Sequence, residues 1–480
     1  MDQLNGGAPR MVYLETFGCQ MNELDSSRMI GALAEIGFRR TDNPGAAEVI
    51  LINTCAVRDK AEHKLYSMLG RFRELKRERP GLVIGVAGCV AQRDSAALLK
   101  RAPYVDIVFG THNVHRLKDF LDKAATDAGV VVETAFRDAL EPEEYAFNEV
   151  AADARAFVAI MRGCNNFCAY CIVPYTRGRE LSRRSADIIA EIERLARSGA
   201  AEVTLVGQNV NSYGANSGGD CSFPELLRKA SMTAGIKRVR FMTSHPKDIS
   251  DELIDAFSEA PNLCRHMHLP VQSGSDGILK KMRRGYTRDE YAAKARRIRS
   301  LYPDMSITSD IIVGFPGEGD KDFEDTLGLI SDLRFDNIFS FMYSPRPGTE
   351  AAAFKDHVPA EVKAERLRLL QEAQRGITIA RNGALVGTMQ EVMIEGDSKT
   401  NARMTSGRTR CGRIVNFPAP DGYREALGAT IRVMITGAYA NSLAGEFAGQ
   451  GQGRTPGQPA LLNGLAWAAA AQQRDGLSNR

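Results

Sequence analysis

The chain has 480 residues, of which 44% are hydrophobic and 25% are charged, and its formal net charge is +3. This length is too great for one hydrophobic core and predicts two to four domains, while the composition excludes a disordered or fibrous protein. No uninterrupted apolar stretch could span a membrane, and Met1–Arg10 lack an apolar signal-peptide core, so we expect a cytoplasmic protein without a membrane partner.

The first part of the chain, residues 10–127, is predicted to form an open parallel-sheet α/β domain. Strands are predicted at 11–16, 49–52 and 82–87, with helices near 25–33 and 57–79. Strands and helices that alternate at this interval imply parallel strands joined by helical crossovers. The acidic segment 128–150 follows and is predicted to be a domain linker.

Residues 150–382 are predicted to form an incomplete (β/α)6 barrel. Six short apolar runs, separated mostly by segments of helical periodicity, give the strands near 155–161, 202–206, 238–242, 266–270, 306–312 and 337–342. In barrels of this kind the functional residues lie just past the carboxyl ends of the strands. Those positions are polar or glycine-rich here, although ordinary loop chemistry could explain any one of them.

The pattern changes after a predicted helix near 359–381. Short strands are predicted near 388–395, 412–417 and 429–437, and they indicate a small C-terminal β-barrel over residues 385–446. The remaining segment, 447–480, is rich in Gly, Gln, Ala and Pro and is predicted to be a disordered tail.

Six of the nine cysteines form two sets of three. The loop cysteines, which lie together after the first barrel strand, are Cys164, Cys168 and Cys171. The dispersed cysteines, which each follow an apolar run of the N-terminal domain, are Cys19, Cys55 and Cys89. A [4Fe–4S] cluster that is held by three thiolates leaves one iron open to another ligand. The two sets therefore predict two clusters, each with an open iron, that face one substrate pocket.

Alternatives remain open for both sets. The loop cysteines could bind zinc, although no histidine lies within 40 residues of them to complete such a site. Each dispersed cysteine taken alone could be a small apolar core residue. Three of them at one sheet edge are harder to explain in that way.

Several motifs resemble those of the methylthiotransferases, radical SAM enzymes that replace a C–H bond with C–S–CH3. They are Gly18–Asn22, Asn53–Cys55, Gly88–Cys89, Gly163–Arg179, His268–Ser275, Gly314–Glu318 and Phe341–Thr349. The resemblance runs from about Val12 to Glu446. It implies an N-terminal methylthiotransferase domain, a radical SAM core and a C-terminal TRAM domain that binds RNA.

The resemblance also implies the chemistry. The loop cysteines would hold a cluster that cleaves S-adenosylmethionine (SAM) to methionine and a 5′-deoxyadenosyl radical. The dispersed cysteines would hold an auxiliary cluster that carries the sulfur. One SAM would supply the methyl group, and a second would supply the radical that takes hydrogen from C2 of the adenine.

The implied reaction converts N6-dimethylallyladenosine beside the anticodon of tRNA to its 2-methylthio form. One rival is a sibling enzyme that acts on threonylcarbamoyladenosine or on a ribosomal-protein aspartate. Another is a non-catalytic iron–sulfur sensor that binds RNA. The expected partners are tRNA, a low-potential electron donor such as a flavodoxin or ferredoxin, and a supplier of sulfur or clusters, and we expect a monomer.

Further site residues follow by analogy with the family. The candidate SAM contacts at the barrel edge are Gln208, Asn209, Ser244, Gln272 and Gly314. The candidate RNA contacts form a basic run in the C-terminal module: Lys399, Arg403, Arg408, Arg410 and Arg413. Such a run can neutralise phosphates, although a solvated basic face would have the same composition.

Overall fold

The structure is a computed structural model that describes residues 9–56, 59–126, 129–140, 154–215, 219–399, 401, 403–418, 422 and 426–447. The predicted tail apart from Phe447, and residues 128 and 141–150 of the predicted linker, lie outside the described residues. Among the helices of the described ranges, none is long and apolar enough to cross a membrane.

The first unit, here called the N-terminal sheet domain, is a six-stranded parallel sheet with helices on both faces. Its strands are β1 (Arg10–Thr16), β2 (Phe38–Arg40), β3 (Val49–Thr54), β4 (Val83–Gly88), β5 (Ile107–Phe109) and β6 (Val131–Glu133), in the spatial order β2, β1, β3, β4, β5, β6. Its helices are α1 (Gln20–Glu35), α2 (Asp59–Glu78), α3 (Cys89–Arg101) and α4 (Leu117–Thr126). Alternate residues of β3 pack to opposite sides, Ile50 with α2 and Leu51 with α1, so the strand is buried throughout.

The sheet is larger than the sequence predicts. Strand β6 lies inside the predicted linker, yet Val131 and Glu133 pair with Ile107 and Phe109 of β5. Strands β2, β5 and β6 have three residues each, which is too short for a periodic signal. The first unit therefore extends past residue 127.

The second unit, the six-stranded barrel, has all six predicted strands. They are β7 (Arg155–Ala159), β10 (Glu202–Val206), β11 (Arg238–Phe241), β12 (His266–His268), β13 (Ser306–Val313) and β14 (Asn337–Met342), and a short hairpin of β8 (Met161–Arg162) and β9 (Leu181–Ser182) follows β7. The helices are α5 (Val173–Arg177), α6 (Ser185–Arg197), α7 (Phe223–Ser231), α8 (Asp251–Glu259), α9 (Asp276–Lys281), α10 (Arg288–Leu301), α11 (Asp320–Leu333) and α12 (Ala360–Gly383). Two parallel three-stranded sheets meet through a bridge between Val239 and Leu263, and β14 has no pairing with β7 in the described part of the chain. The incomplete barrel predicted from the sequence is thus confirmed.

The third unit, the small barrel, is a closed five-stranded β-barrel. Its strands are β15 (Met389–Asp397), β16 (Met404–Thr409), β17 (Ile414–Pro418), β18 (Thr430–Ala438) and β19 (Leu443–Phe447). The sequence predicts three of them. It misses β16 because the buried positions of that strand are Thr405, Gly407 and Thr409, which give no apolar alternation.

The turn between β16 and β17 closes the amino-terminal end of the six-stranded barrel. Arg240, on β11 inside the barrel, donates from Nη2 to the Thr409 carbonyl at 2.9 Å and from Nη1 to the Arg410 carbonyl at 3.0 Å. Arg238, which is 1% exposed, donates to the Arg408 carbonyl at 2.6 Å. The small barrel thus covers this end of the six-stranded barrel, and the loop cysteines lie at the opposite, carboxyl end.

Candidate functional site

The dispersed cysteines lie at the carboxyl edge of the N-terminal sheet, as the sequence predicts. Cys19 precedes α1, Cys55 directly follows β3, and Cys89 begins α3 directly after β4. The strand ends are in register, because Thr16 pairs with Asn53 and Thr54 pairs with Gly88. Three strands of one parallel sheet therefore bring the three thiols to the same edge.

Two glycines let the cysteine loops approach each other closely. A Cβ at Gly18 would lie 2.9 Å from the Cys55 Cβ, and one at Gly88 would lie 2.4 Å from the Thr54 carbonyl oxygen. Both glycines have positive φ, +137° and +90°, which other residues rarely adopt. Glycine is required at both positions for packing as well as for backbone conformation.

Asn22 fixes the same loops by hydrogen bonds. Its fully buried side chain donates from Nδ2 to the Thr54 carbonyl at 2.8 Å and to the Phe17 carbonyl at 2.9 Å. Asn53 in turn donates to the Asn22 carbonyl at 2.8 Å. The Gly18–Asn22 motif thus serves to position the loops of Cys19 and Cys55.

The loop cysteines lie in a tightly turned segment beyond the β8 strand. The Asn166 N–H donates to Cys164 Sγ at 3.5 Å, and the Cys171 N–H donates to the Cys168 carbonyl at 2.9 Å. Burial raises the pKa of Cys164 to about 11 and that of Cys171 to about 12, and in both cases the neighbouring Cys168 raises it further. Thiols with pKa values raised in this way need a nearby positive charge to become thiolates, and the iron ions of a cluster would supply that charge.

Arg284 adds a permanent charge to this site, and sequence reasoning missed it. Its buried guanidinium donates to Cys168 Sγ at 3.3 Å, to the Tyr170 hydroxyl at 3.2 Å and to the Pro270 carbonyl at 2.8 Å. Its Nε donates to the Tyr286 hydroxyl at 2.9 Å. A hydrogen bond to a ligating sulfur is a typical way in which a protein orients and tunes a cluster.

Three of the predicted SAM contacts carry buried polar atoms that have no hydrogen-bond partner among the described residues: Gln208 Nε2, Asn209 Oδ1 and Ser244 Oγ. Gln208 also accepts from the Gly163 N–H at 2.5 Å, next to the cysteine loop. His245 Nε2 and Tyr343 Oη at the same end of the barrel are likewise unpaired. A buried polar group without a hydrogen bond raises the free energy of the folded protein. The carboxyl end of the barrel therefore suits a ligand that is rich in hydrogen-bond donors and acceptors, as SAM is.

The other two predicted SAM contacts are engaged through their backbones. Gln272, with φ of +73°, donates its N–H to the Asp310 carbonyl at 2.8 Å. The Gly314 N–H donates to Glu318 Oε1 at 2.8 Å. Both lie at the carboxyl end of the barrel strands, and their contact with SAM stays a prediction.

Within the described residues, no group of three or more His, Cys, Asp or Glu side chains is arranged to hold a metal ion. The fit to [4Fe–4S] clusters therefore rests on the donor sets and their surroundings. Each set offers three thiols, and a buried arginine lies at each: Arg284 donates to Cys168 Sγ at 3.3 Å, and Arg177 donates to Asn22 Oδ1, which also accepts from Cys19 Sγ at 3.8 Å. These surroundings suit a negatively charged thiolate cluster.

The segment after the loop cysteines enters the N-terminal sheet domain. Ile172 packs into the core of that domain, and the Thr111 hydroxyl donates to the Thr176 carbonyl at 2.8 Å. Arg177 donates from Nη2 to Asn22 Oδ1 at 3.0 Å and to Asp25 Oδ2 at 2.9 Å. Helix α5 therefore connects the loop cysteines directly to the network that positions the dispersed cysteines.

Apolar packing extends the same interface. Met21 and Leu24 of α1 pack against Ala159 and Val206 at the ends of β7 and β10. Burial lowers the pKa of Arg346, which follows β14, while the nearby Cys55 acts in the opposite direction. The two cysteine sets thus lie on facing sides of one domain interface.

The predicted RNA-binding residues divide into two groups. Lys399 and Arg403 are exposed. Arg408 pairs with Glu395 at 2.7 Å, Arg410 donates to the Leu263 carbonyl at 3.2 Å, and Arg413 donates to Asn382 Oδ1 at 3.0 Å. The last two arginines therefore hold the small barrel against the six-stranded barrel and its final helix, which sequence proximity alone does not indicate.

Three family models match successive parts of the chain. The uncharacterized protein family UPF0004 matches residues 11–110, the radical SAM superfamily matches 158–330, and the TRAM domain matches 383–448. These matches follow the order of units that the resemblance implies.

Curated relatives match nearly the whole chain. The protein named tRNA-2-methylthio-N(6)-dimethylallyladenosine synthase from Geotalea uraniireducens is 48% identical to this chain, over 91% of this chain and 98% of its own length. The protein of that name from Geobacter metallireducens is 49% identical over 92% of this chain and 98% of its own length. The one from Methylococcus capsulatus is 49% identical over 92% of this chain and 96% of its own length.

Solved structures support the fold. The radical S-adenosylmethionine methyltransferase TsrM from Kitasatospora setae, with tryptophan and a SAM analogue bound, has a TM-score of 0.51 and 14% identity, covering 81% of this chain and 79% of that one. Its structure with cobalamin and a [4Fe–4S] cluster has a TM-score of 0.50 and 15% identity, covering 72% and 74%. At these identities the likeness concerns the fold alone.

Proposed function

The chain belongs to the radical SAM family of tRNA-2-methylthio-N(6)-dimethylallyladenosine synthases, and on this premise we propose that it methylthiolates C2 of N6-dimethylallyladenosine beside the anticodon of tRNA. It is a tRNA methylthiotransferase whose cofactors are SAM and [4Fe–4S] clusters. The finer assignment gives one cluster to the loop cysteines and one to the dispersed cysteines.

One observation carries this assignment: helix α5 joins the two cysteine sets. A reaction that needs both a radical and a sulfur atom at one carbon requires two cofactors close to one substrate. The α5 contacts of Thr176 and Arg177 with the N-terminal sheet domain bring the two sets to one interface. A protein that used a single cluster would have no need of this arrangement.

The chain's own residues bind and orient the reactants. When bound, the clusters and SAM supply the radical, the sulfur and the methyl group. Gln208, Asn209 and Ser244 would pair their unsatisfied polar atoms with SAM. The β16–β17 turn covers the amino-terminal end of the six-stranded barrel. Substrate and cofactor would therefore meet at the carboxyl end.

The proposal extends to partners and location. The substrate is tRNA, and the small barrel is the TRAM domain that would bind it. Cluster reduction requires a low-potential donor such as a flavodoxin or ferredoxin, and each sulfur that is transferred must be replaced by a sulfur or cluster supplier. Since tRNA is its substrate, the proposal places the enzyme in the cytoplasm, where it would act as a monomer.

The test is turnover by the reconstituted protein. Anaerobic protein with SAM and a reductant is given anticodon stem-loops that contain N6-dimethylallyladenosine, threonylcarbamoyladenosine or unmodified adenosine. We expect mass spectrometry to find the 2-methylthio product with the first substrate only. Turnover of the second substrate would instead support the sibling enzyme, which the relatives reported above do not favour.

The same experiment addresses the sensor alternative. A non-catalytic iron–sulfur protein would bind the stem-loops but cleave no SAM. SAM cleavage without any product would contradict the proposed substrate, because the radical would form with no acceptor.

A further inference from the structure

Arg177 is a buried arginine whose surroundings belong to another domain. It lies at the end of α5, six residues after Cys171. Its side chain is 4% exposed, and its hydrogen-bond acceptors are Asn22 Oδ1 at 3.0 Å and Asp25 Oδ2 at 2.9 Å, both on α1. A guanidinium that is this deeply buried must have its charge compensated.

Asp25 supplies part of that compensation, and Cys89 and Cys19 add a smaller part. Burial lowers the pKa of Arg177, but the nearby Asp25, Cys89 and Cys19 together outweigh burial and raise it. Asn22 Oδ1, which accepts from the guanidinium at 3.0 Å, also accepts from Cys19 Sγ at 3.8 Å, so a single side chain links the guanidinium to a dispersed thiol.

The backbone around Arg177 is held as firmly as its side chain. The Thr111 hydroxyl donates to the Thr176 carbonyl at 2.8 Å, and His112 Nε2 bonds to the Arg177 carbonyl at 3.0 Å. His112 Nδ1 accepts from the Arg137 N–H at 3.1 Å, which assigns the proton to Nε2. Thr111 and His112 follow β5 of the same sheet, so α5 is fixed to the edge where the dispersed cysteines lie.

We propose that Arg177 is a positioning residue for the cluster of the dispersed cysteines, supplied by the domain that holds the other cluster. It fixes Asn22, whose side chain positions the loops of Cys19 and Cys55, and it places a permanent positive charge beside the cluster. This inference rests on the proposed function, because it requires a cluster at the dispersed cysteines.

The test isolates that cluster. In a background with Cys164→Ala, Cys168→Ala and Cys171→Ala, reconstituted protein should retain about four irons per chain. Arg177→Gln in this background should accelerate iron loss to a chelator by about 10- to 100-fold and shift the reduction potential of the cluster to more negative values. The potential falls because loss of a positive charge disfavours the more negative, reduced state.

Two variants separate positioning from general stability. Arg177→Lys keeps the charge and should restore the potential in large part, although it cannot reproduce both hydrogen bonds. Arg183 is the matched control, since it forms a pair with Glu191 at 2.6 Å that is also 4% exposed on each side. Arg183→Gln should lower the unfolding temperature about as much as Arg177→Gln while leaving the chelation rate within about twofold of the background protein.

Three results would overturn the inference. An Arg177→Gln cluster with the same potential and chelation rate as the background protein would remove the role of Arg177 but leave the proposed function intact. Equal acceleration by Arg183→Gln would reduce the effect to loss of stability. A background protein without iron would refute the inference together with the assignment of a cluster to the dispersed cysteines.

Discussion

Arg284 and Arg177 have equivalent places at the two cysteine sets. Arg284 donates to Cys168 Sγ at 3.3 Å, and Arg177 shares the acceptor Asn22 Oδ1 with Cys19 Sγ, at 3.0 and 3.8 Å. Burial lowers the pKa of Arg284, but Tyr170, Tyr286 and Cys168 raise it well above the ordinary arginine value. Both arginines stay charged, so each can offset the negative charge that a thiolate cluster brings into a buried site.

Arg284 should set the reduction potential of the cluster at the loop cysteines. In a background with Cys19→Ala, Cys55→Ala and Cys89→Ala, we expect Arg284→Gln to make that potential more negative and to slow SAM cleavage by about 10- to 100-fold. A redox titration followed by electron paramagnetic resonance, together with the yield of 5′-deoxyadenosine, measures both effects.

The neighbouring arginine is the control for Arg284. Arg283 is 59% exposed and pairs with Glu350 at 2.7 Å on the surface. Arg283→Gln should leave the potential unchanged, because an exposed charge is screened by solvent. If the two variants have the same potential, the contact of Arg284 with Cys168 has no electronic role.

Ser244 permits a test in which stability and SAM affinity change independently. Its buried Oγ has no partner in the described part of the chain, so Ser244→Ala should leave the protein without SAM equally stable or slightly more stable. If SAM pairs with this hydroxyl, the same change should weaken SAM binding by about 2- to 10-fold. Thermal unfolding and isothermal titration of the anaerobic protein measure the two quantities.

Ser309 provides the opposite case. Its buried hydroxyl donates to the Leu269 carbonyl at 2.9 Å and accepts from the Val271 N–H at 2.9 Å. Ser309→Ala should therefore lower stability by about 1–3 kcal/mol and leave SAM affinity nearly unchanged. A large loss of stability with Ser244→Ala would mean that this hydroxyl already has a protein partner.

At the scale of elements, the sequence predicts long apolar runs well and short strands poorly. The six barrel strands are found where the sequence predicts them, because each contributes a run of core residues such as Val203 and Leu205 of β10. The three-residue strands β2, β5 and β6 are recognised only from their pairing in the folded sheet. Their pairing depends on tertiary contacts, which local periodicity does not encode.

The candidate site shows the same division. Spacing singles out the six cysteines of the two sets; Arg177 lies within the Gly163–Arg179 motif but receives no role from it, and Arg284 lies in none of the motifs. Arg177 lies on a helix of five residues, too short for a periodic pattern, and its acceptors are more than 150 positions away in the chain. Contacts of this kind follow from domain packing and have no local signal.

Asp336 connects several elements of the six-stranded barrel with the small barrel through hydrogen bonds. Its carboxylate accepts from Arg381 Nε at 2.7 Å, from Arg299 Nη2 at 3.3 Å and from the Ile307 N–H at 2.9 Å, and it also accepts from Arg413 of the small barrel. It is 5% exposed, so the arginines around it depend on this one charge.

We expect Asp336→Asn to lower the free energy of unfolding by about 3–5 kcal/mol, because it leaves several partly buried arginines without their counter-charge. Denaturant unfolding measures the loss. Asp332→Asn is the control, since Asp332 is 42% exposed and its pair with Arg296 should contribute about 1 kcal/mol or less. An equal effect of the two changes would contradict the role of Asp336 as an anchor.

At the scale of the whole molecule, the small barrel contacts the six-stranded barrel with one surface, and the proposed RNA contacts lie on another. Arg238 and Arg240 of the six-stranded barrel donate hydrogen bonds to the carbonyls around the β16–β17 turn, which covers the amino-terminal end of that barrel. Lys399 and Arg403 are exposed, and they are the members of the basic run that remain available for phosphates. A test of RNA binding should therefore change these two residues rather than those that hold the domains together.

We expect Lys399→Gln with Arg403→Gln to weaken tRNA binding and to reduce the slope of log affinity against log salt by about 1–2, while SAM cleavage is kept. Binding titrations at several salt concentrations measure the slope. Arg39→Gln with Arg40→Gln removes two exposed charges from the outer strand β2 and serves as the control. Equal slopes for both double variants would place the RNA-binding surface elsewhere.

The central claim is that this chain inserts sulfur at C2 of a dimethylallyl-modified adenosine by using both cysteine sets. Mass spectrometry of tRNA nucleosides from a strain that lacks the gene tests it most directly. We expect 2-methylthio-N6-dimethylallyladenosine to disappear and N6-dimethylallyladenosine to accumulate. The intact chain should restore the product, whereas the Cys55→Ala and Cys168→Ala variants should not. Unchanged 2-methylthio product in the deletion strain, or restoration by either variant, would contradict it.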